Sequence, residues 1–149
     1  MARMPTMEVC VSVIEVKTVH FEIPGAPGSK ARHRTVSGHT YTPAKTAAYE
    51  NLVKICFREQ CKDMPHEGQV GIEVVAYFPV PKSASKKRRD LMLAGVLRPK
   101  VKPDWDNIGK ICSDALNGIA YRDDSQVVDA VVRKWYGERP RVEVKISFM

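Results

Sequence analysis

The sequence predicts an α/β chain of the α+β type, one mixed β-sheet with helices packed against it. Three observations carry that expectation. Some segments alternate apolar and polar residues, others repeat apolar residues at helical spacing, and the two kinds follow one another in the order β(β)αβααββ. With 149 residues the chain is long enough to bury a core without disulfides or metals. Residues 1–17 are expected to form an extension or an extra edge strand, and residues 18–149 the domain.

Val9, Val11 and Val13 alternate with polar neighbours, as do Val19, Phe21 and Ile23 against Thr18, His20 and Glu22, so both stretches read as strands. Ile23-Pro-Gly-Ala-Pro-Gly ends the second, and a basic loop with Lys30, Arg32, His33, Arg34 and His39 is expected after it. Thr42 as N-cap with Pro43 at the first helical position predicts a helix over 43–62. Its Tyr49, Leu52, Val53, Cys56 and Phe57 share one face, which should lie on the sheet. Val70, Ile72, Val74, Ala76 and Phe78 predict a strand ended by Pro79 and Pro81. Lys86 to Leu93 suits a short basic helix, and Gly95 to Pro103 a loop that is mobile without ligand. A further helix follows Pro103, and the last two strands are expected over 126–136 and 141–148. Neither internal repeats nor low-complexity tracts occur.

Charge is distributed unevenly. The net charge is +7, and between Lys82 and Lys102 there are eight basic residues (Lys82, Lys86, Lys87, Arg88, Arg89, Arg98, Lys100, Lys102) against Asp90 alone. From Asp104 to Asp129 six aspartates face only Lys110 and Arg122. A basic block suits a phosphate backbone. Clustered acids suit a hard divalent cation, because Mg²⁺ takes oxygen ligands from one or two carboxylates plus water and substrate phosphate. Together they suggest a metal-dependent enzyme acting on nucleic acid. Cys10, Cys56, Cys61 and Cys112 have no zinc-site spacing, and no secretory or membrane-spanning segment is visible. Reduced, mostly buried thiols in a cytoplasmic protein without a membrane partner are the simplest expectation.

The helix after Pro103 separates the two kinds of residue. Ile108, Ile111, Cys112, Ala115, Leu116 and Ile119 fall on one side, and Asp106, Lys110, Ser113 and Asn117 on the other. Asp104 opens the helix and can aim at the same region. Each acid also has an ordinary use. Asp104 suits an N-cap, Asp106 with Lys110 suits a surface i,i+4 pair, and Asp123-Asp124-Ser125 suits a turn into a strand. Four carboxylates gathered beside a basic block repel one another, however, unless a cation or substrate compensates. A non-catalytic DNA-binding protein, or a nuclease for other branched DNA such as flaps, are the alternatives that these residues leave open.

Lys102-Pro-Asp-Trp-Asp-Asn-Ile-Gly-Lys110, followed by Asp114-Ala-Leu-Asn-Gly-Ile-Ala-Tyr-Arg-Asp-Asp-Ser-Gln-Val-Val128, resembles the signature of the RusA family of Holliday-junction resolvases. The similarity continues through Arg133-Lys-Trp-Tyr-Gly-Glu-Arg-Pro-Arg-Val-Glu-Val144 and covers about residues 19–148. The resemblance implies a homodimer, bacterial or phage-encoded, that makes paired nicks in four-way junctions during recombination and repair with Mg²⁺ or Mn²⁺. It assigns Asp104, Asp106 and Asp124 as catalytic metal ligands, Asp123 as a further possible ligand, and Lys110 as the catalytic lysine. Asn107 is expected to support a ligand. Lys30, Arg32, Arg34, Lys86, Lys87, Arg88, Arg89, Arg98, Lys100 and Lys102 are expected to grip DNA. One departure lies inside the motif: Trp105 stands where the family carries a small aliphatic residue.

Overall fold

The computed structural model describes residues 16–30, 32, 34–62 and 65–149; the possible strand at Val9 to Val13 and His33 lie outside them. Strand β1 (Lys17–Pro24) leads to a short hairpin, β2 (Arg34–Val36) and β3 (His39–Tyr41), and then to helix α1 (Ala44–Gln60). Strand β4 (Val70–Pro79), helices α2 (Lys86–Leu93) and α3 (Trp105–Leu116), a 3₁₀ turn (Asp124–Gln126) and strands β5 (Val127–Gly137) and β6 (Arg141–Phe148) complete the chain. The main sheet has the order β1-β6-β4-β5. β6 pairs antiparallel with β1 and β4, whereas β4 and β5 run parallel.

The mixed sheet follows from the connections. A short turn joins β5 to β6, but β4 lies between them, and a parallel partner for β4 requires the long crossover that carries α2 and α3. Alternation in β4 places Val70, Ile72, Val74, Ala76 and Phe78 in the core, where Val142, Val144, Ile146, Phe148, Phe21 and Ile23 meet them. Helices α1 and α3 pack on that face and on each other through Val53, Cys56, Phe57, Ile108, Ile111, Cys112, Ala115 and Leu116. Each fully buried Ile or Leu contributes about 1.5–3 kcal/mol by leaving water. Cys56, Cys61 and Cys112 are buried within the same core. Among the described residues no helix is long and apolar enough to cross a membrane.

Two local expectations are corrected. The basic stretch is not wholly a loop, since Arg34 to Tyr41 forms a hairpin with Ser37 and Gly38 both at positive φ (52° and 80°). That pair of angles suits a tight two-residue hairpin turn. All six strand residues are exposed, so no apolar alternation announced them. In α1 the N-cap is Pro43 rather than Thr42; its ψ of 143° is extended, so the first helical residue is Ala44.

The segment 95–103, expected as a mobile loop, is tied to β5. Arg98 donates from Nε to the Lys134 carbonyl (2.9 Å) and stacks on Trp135, and Lys134 Nζ reaches the Val101 carbonyl (2.6 Å). These interactions cover the carboxyl-terminal part of the β5 edge.

Candidate active site

Helix α3 is anchored by its apolar stripe: Ile108, Ile111, Cys112, Ala115 and Leu116 are almost fully buried. Gly109 allows the close approach to β5, because a Cβ there would stand 3.0 Å from Val132 Cγ2. The opposite stripe is left in solvent. Asp104 is the N-cap residue and its carbonyl accepts from Ile108 N (3.1 Å), yet its carboxylate makes no capping hydrogen bond. Among the described residues no ion pair within 4 Å joins Asp106 to Lys110. Neither acid is therefore used in the ordinary way that its position offers.

The distal pair is built differently. Asp123 is the N-cap of the 3₁₀ turn: its Oδ2 accepts from Ser125 N (3.2 Å), and it forms a reciprocal capping box with Gln126. Hydrogen bonds from Ser125 hold its carboxyl below the usual aspartate value. Asp124, one residue on, is exposed. Gln126 fixes the turn that carries it. Its Oε1 accepts from Arg122 N (2.8 Å) and Asp123 N (2.9 Å), while its Nε2 donates to the His66 and Gly68 carbonyls (both 2.8 Å).

These elements place the acids in two adjoining recesses. A pocket of about 250 Å³ is lined by Asp106, Lys110 and Ser113 of α3, by Asp124, and by Trp105. Its floor is apolar, made by Ile72 and Val74 of β4 with Val127, Ala130 and Val132 of β5. Asp104 lines a neighbouring groove of about 350 Å³ with Asn107, Lys102, Pro103, Pro27 and Ser29. Asp106, Lys110 and Asp124 are thus brought together from two elements, Asp104 and Asn107 stand beside them, and Asp123 is turned to its cap. Among the described residues no group of three or more His, Cys, Asp or Glu side chains converges as a metal site would. Two hard carboxylates in one pocket nevertheless fit Mg²⁺, which completes its shell with water and substrate phosphate.

The basic residues divide in the same manner. Lys30 is turned inward, with Nζ 2.5 Å from Glu50 and 3.1 Å from Asp114. Burial alone would lower its ammonium, but those two carboxylates outweigh it and hold it above the usual lysine value. The expectation that Lys30 grips a phosphate backbone is replaced by a structural role joining the 25–30 loop to α1 and α3. Asp114 is a structural partner in that triad. Arg98 is held by Trp135 and Lys134. Lys86, Lys87, Arg88 and Arg89 on α2, together with Lys100, Lys102, Arg32 and Arg34, are exposed.

Three features escaped the sequence reading. Gln126 was readable, since Asp-x-x-Gln is a capping-box spacing. Ser113, on the predicted polar stripe, carried no sign that it lines the pocket. Tyr121, fully buried, donates from its hydroxyl to the Ser113 carbonyl (2.7 Å) and so braces the end of α3. Burial raises its phenol well above the usual tyrosine value.

Residues 24–147 match the family described as Endodeoxyribonuclease RusA. The chain is also 40% identical over 134 residues to a Bacillus subtilis (strain 168) relative named Uncharacterized protein YqaN, covering 86% of this chain and 94% of the relative.

Proposed function

The chain belongs to the RusA family of endodeoxyribonucleases, and on that premise we propose that it resolves four-way DNA junctions by paired, divalent-metal-dependent nicks. The convergence of Asp106, Lys110 and Asp124 on one pocket from two separate elements carries this reading. Asp106 and Asp124 would hold Mg²⁺ or Mn²⁺, with Asp104 contributing from the adjoining groove. Such a metal would supply water activation and charge stabilisation at the phosphate. Lys110 places a point charge at the scissile phosphate, and Asn107 orients Asp104 from the groove that they share. Gln126 fixes the turn, so the distance between the two carboxylate-bearing elements is set before substrate arrives.

The α2 residues Lys86, Lys87, Arg88 and Arg89, with Lys100, Lys102, Arg32 and Arg34, hold the DNA backbone. Paired nicks require two sites, so the active species is a homodimer. Among the described residues nothing covers the amino-terminal part of the β5 edge, where Val128 is 61% exposed, which supports placing the second copy there.

The test is a cleavage panel of four-way, three-way, flap and linear DNA with and without Mg²⁺, alongside Asp106→Asn. Metal-dependent nicks confined to the four-way junction, abolished in the variant with binding retained, are the expected result. Cleavage by Asp106→Asn refutes the assignment, and binding without nicks under any metal makes the chain a DNA-binding protein.

A further inference from the structure

The chain's two tryptophans are treated differently by the fold. Trp135 lies under the Arg98 guanidinium, 3.7 Å from the ring centroid, and Gly95 packs against its edge. Trp105, in the first turn of α3, is 65% exposed, and among the described residues no ring or cation stacks on it. It lines the pocket of Asp106, Lys110 and Asp124, while its other neighbour in sequence, Asp104, opens onto the groove of Lys102 and Asn107. An indole is therefore held in water at the start of α3, between two of the three proposed ligands, Asp104 and Asp106.

The surroundings restrict what can cover it. A protein surface seated on the indole would strip water from Asp104 and Asp106 on either side, and uncompensated carboxylates make that costly. A phosphate or an anionic lipid head group laid on the ring itself, with no metal between, meets the same carboxylates as like charges. A neutral planar ring suffers neither penalty, and stacking on an aromatic side chain is indifferent to which base supplies it. In a duplex every base already has stacking neighbours on both sides. In the open form of a branched junction a base at the branch point has lost one of them.

We propose that Trp105 is a stacking platform for the unstacked nucleobase at the branch point, and that it helps to select branched DNA over duplex. This inference rests on the nuclease reading above and extends it to substrate choice. The indole receives the base beside the scissile phosphate and thereby positions that phosphate over Asp106 and Asp124.

The experiment measures binding of the whole protein to a four-way junction and to a matched duplex in EDTA, where no cleavage occurs. Trp105→Ala should weaken junction binding roughly 5- to 150-fold, the fold-change equivalent of the stacking range of about 1–3 kcal/mol per base. Duplex binding should not change, and Trp105→Phe should recover most of the loss. An abasic nucleotide at the crossover should weaken wild-type binding equally and add nothing in Trp105→Ala. Additive effects of the two changes, or an unchanged junction-to-duplex ratio in Trp105→Ala, overturn the proposal. Altered sedimentation of Trp105→Ala also overturns it, in favour of an interface between copies. If wild-type protein does not prefer junctions to duplex, the junction reading fails instead. Binding to single-stranded oligo-dT then decides the platform alone: a Trp105-dependent affinity supports stacking, and equal affinity of wild type and Trp105→Ala overturns it.

Discussion

The two acidic pairs, Asp104 with Asp106 and Asp123 with Asp124, look alike in sequence and are built on different terms. On α3 neither carboxylate is tied to a partner: Asp104 makes no side-chain cap and Asp106 no ion pair with Lys110. On the 3₁₀ turn the work is split, with Asp123 capping the backbone and Asp124 facing the pocket. A carboxylate already engaged with backbone N–H groups is less available to a metal, so proximity in sequence is a poor guide to which acids act together. The basic segments repeat the lesson, since Lys30 is closed inside an ion triad while the α2 lysines and arginines stand in solvent.

Substituting the acids one at a time breaks this comparison most strongly. Asp104→Asn, Asp106→Asn and Asp124→Asn should each lower junction nicking about a thousandfold, the loss of about 4 kcal/mol of charge stabilisation. Asp123→Asn should stay within about threefold of wild type, because asparagine caps as well as aspartate. Single-turnover rates at saturating Mg²⁺ measure all four. A thousandfold loss in Asp123→Asn would make it a ligand and remove the asymmetry.

Next in size is the contrast between the basic segments. Lys30→Met leaves Glu50 and Asp114 without their cation and should cost about 2–3 kcal/mol. For a chain of this length that lowers Tm by about 6–10 °C, readable by calorimetry. Changing Lys86, Lys87, Arg88 and Arg89 together to Gln should leave Tm alone. It should make the salt dependence of DNA binding shallower, by roughly 0.9 in the log–log slope for each phosphate that is no longer neutralised.

Gln126→Glu keeps the acceptors and removes the donors, setting a carboxylate against the His66 and Gly68 carbonyls. A loss of about 2 kcal/mol in urea melts at neutral pH is expected. Those carbonyls favour the protonated form, so the folded-state pKa of the new carboxyl is raised and the deficit should shrink as pH falls through it. Asp123 in the wild type has the opposite sign: its folded-state pKa is depressed, so its contribution is present above the unfolded aspartate value and is lost as pH falls through the folded one. The smallest effect is Asp123→Ala, which should lower the urea midpoint slightly through the missing cap.

Much of this was legible in the residues. Of the apolar stripe that periodicity defined, Ile108, Ile111, Cys112, Ala115 and Leu116 are buried on α3, whereas Ile119 lies beyond the helix end and is half-buried. Strands β4, β5 and β6 begin and end within about a residue of the expected positions; β4 and β6 alternate strongly, and Pro79, Gly137 and Pro140 mark the breaks around them. The β2–β3 hairpin was not legible, since exposed strands of three residues carry no burial signal. Nor was the split of the acids between two recesses, which depends on how the Pro27 and Ser29 loop and β5 lie against α3. The inward turn of Lys30 is likewise set by Glu50 and Asp114, far apart in sequence.

The parallel pairing of β4 with β5 bears on how the protein comes into being. Every proposed catalytic residue lies in the single connection from Pro79 to Val127, and that connection is closed only when β5 zips onto β4. Closing a long loop must precede the interactions that reward it, which makes such pairings late events. Doubling the length of such a loop adds only about 0.6 kcal/mol of closure entropy, so the cost is chiefly one of timing. A nascent or partly folded chain would therefore hold Asp106 and Asp124 apart, and nuclease competence would arrive with β5 rather than with the first helix.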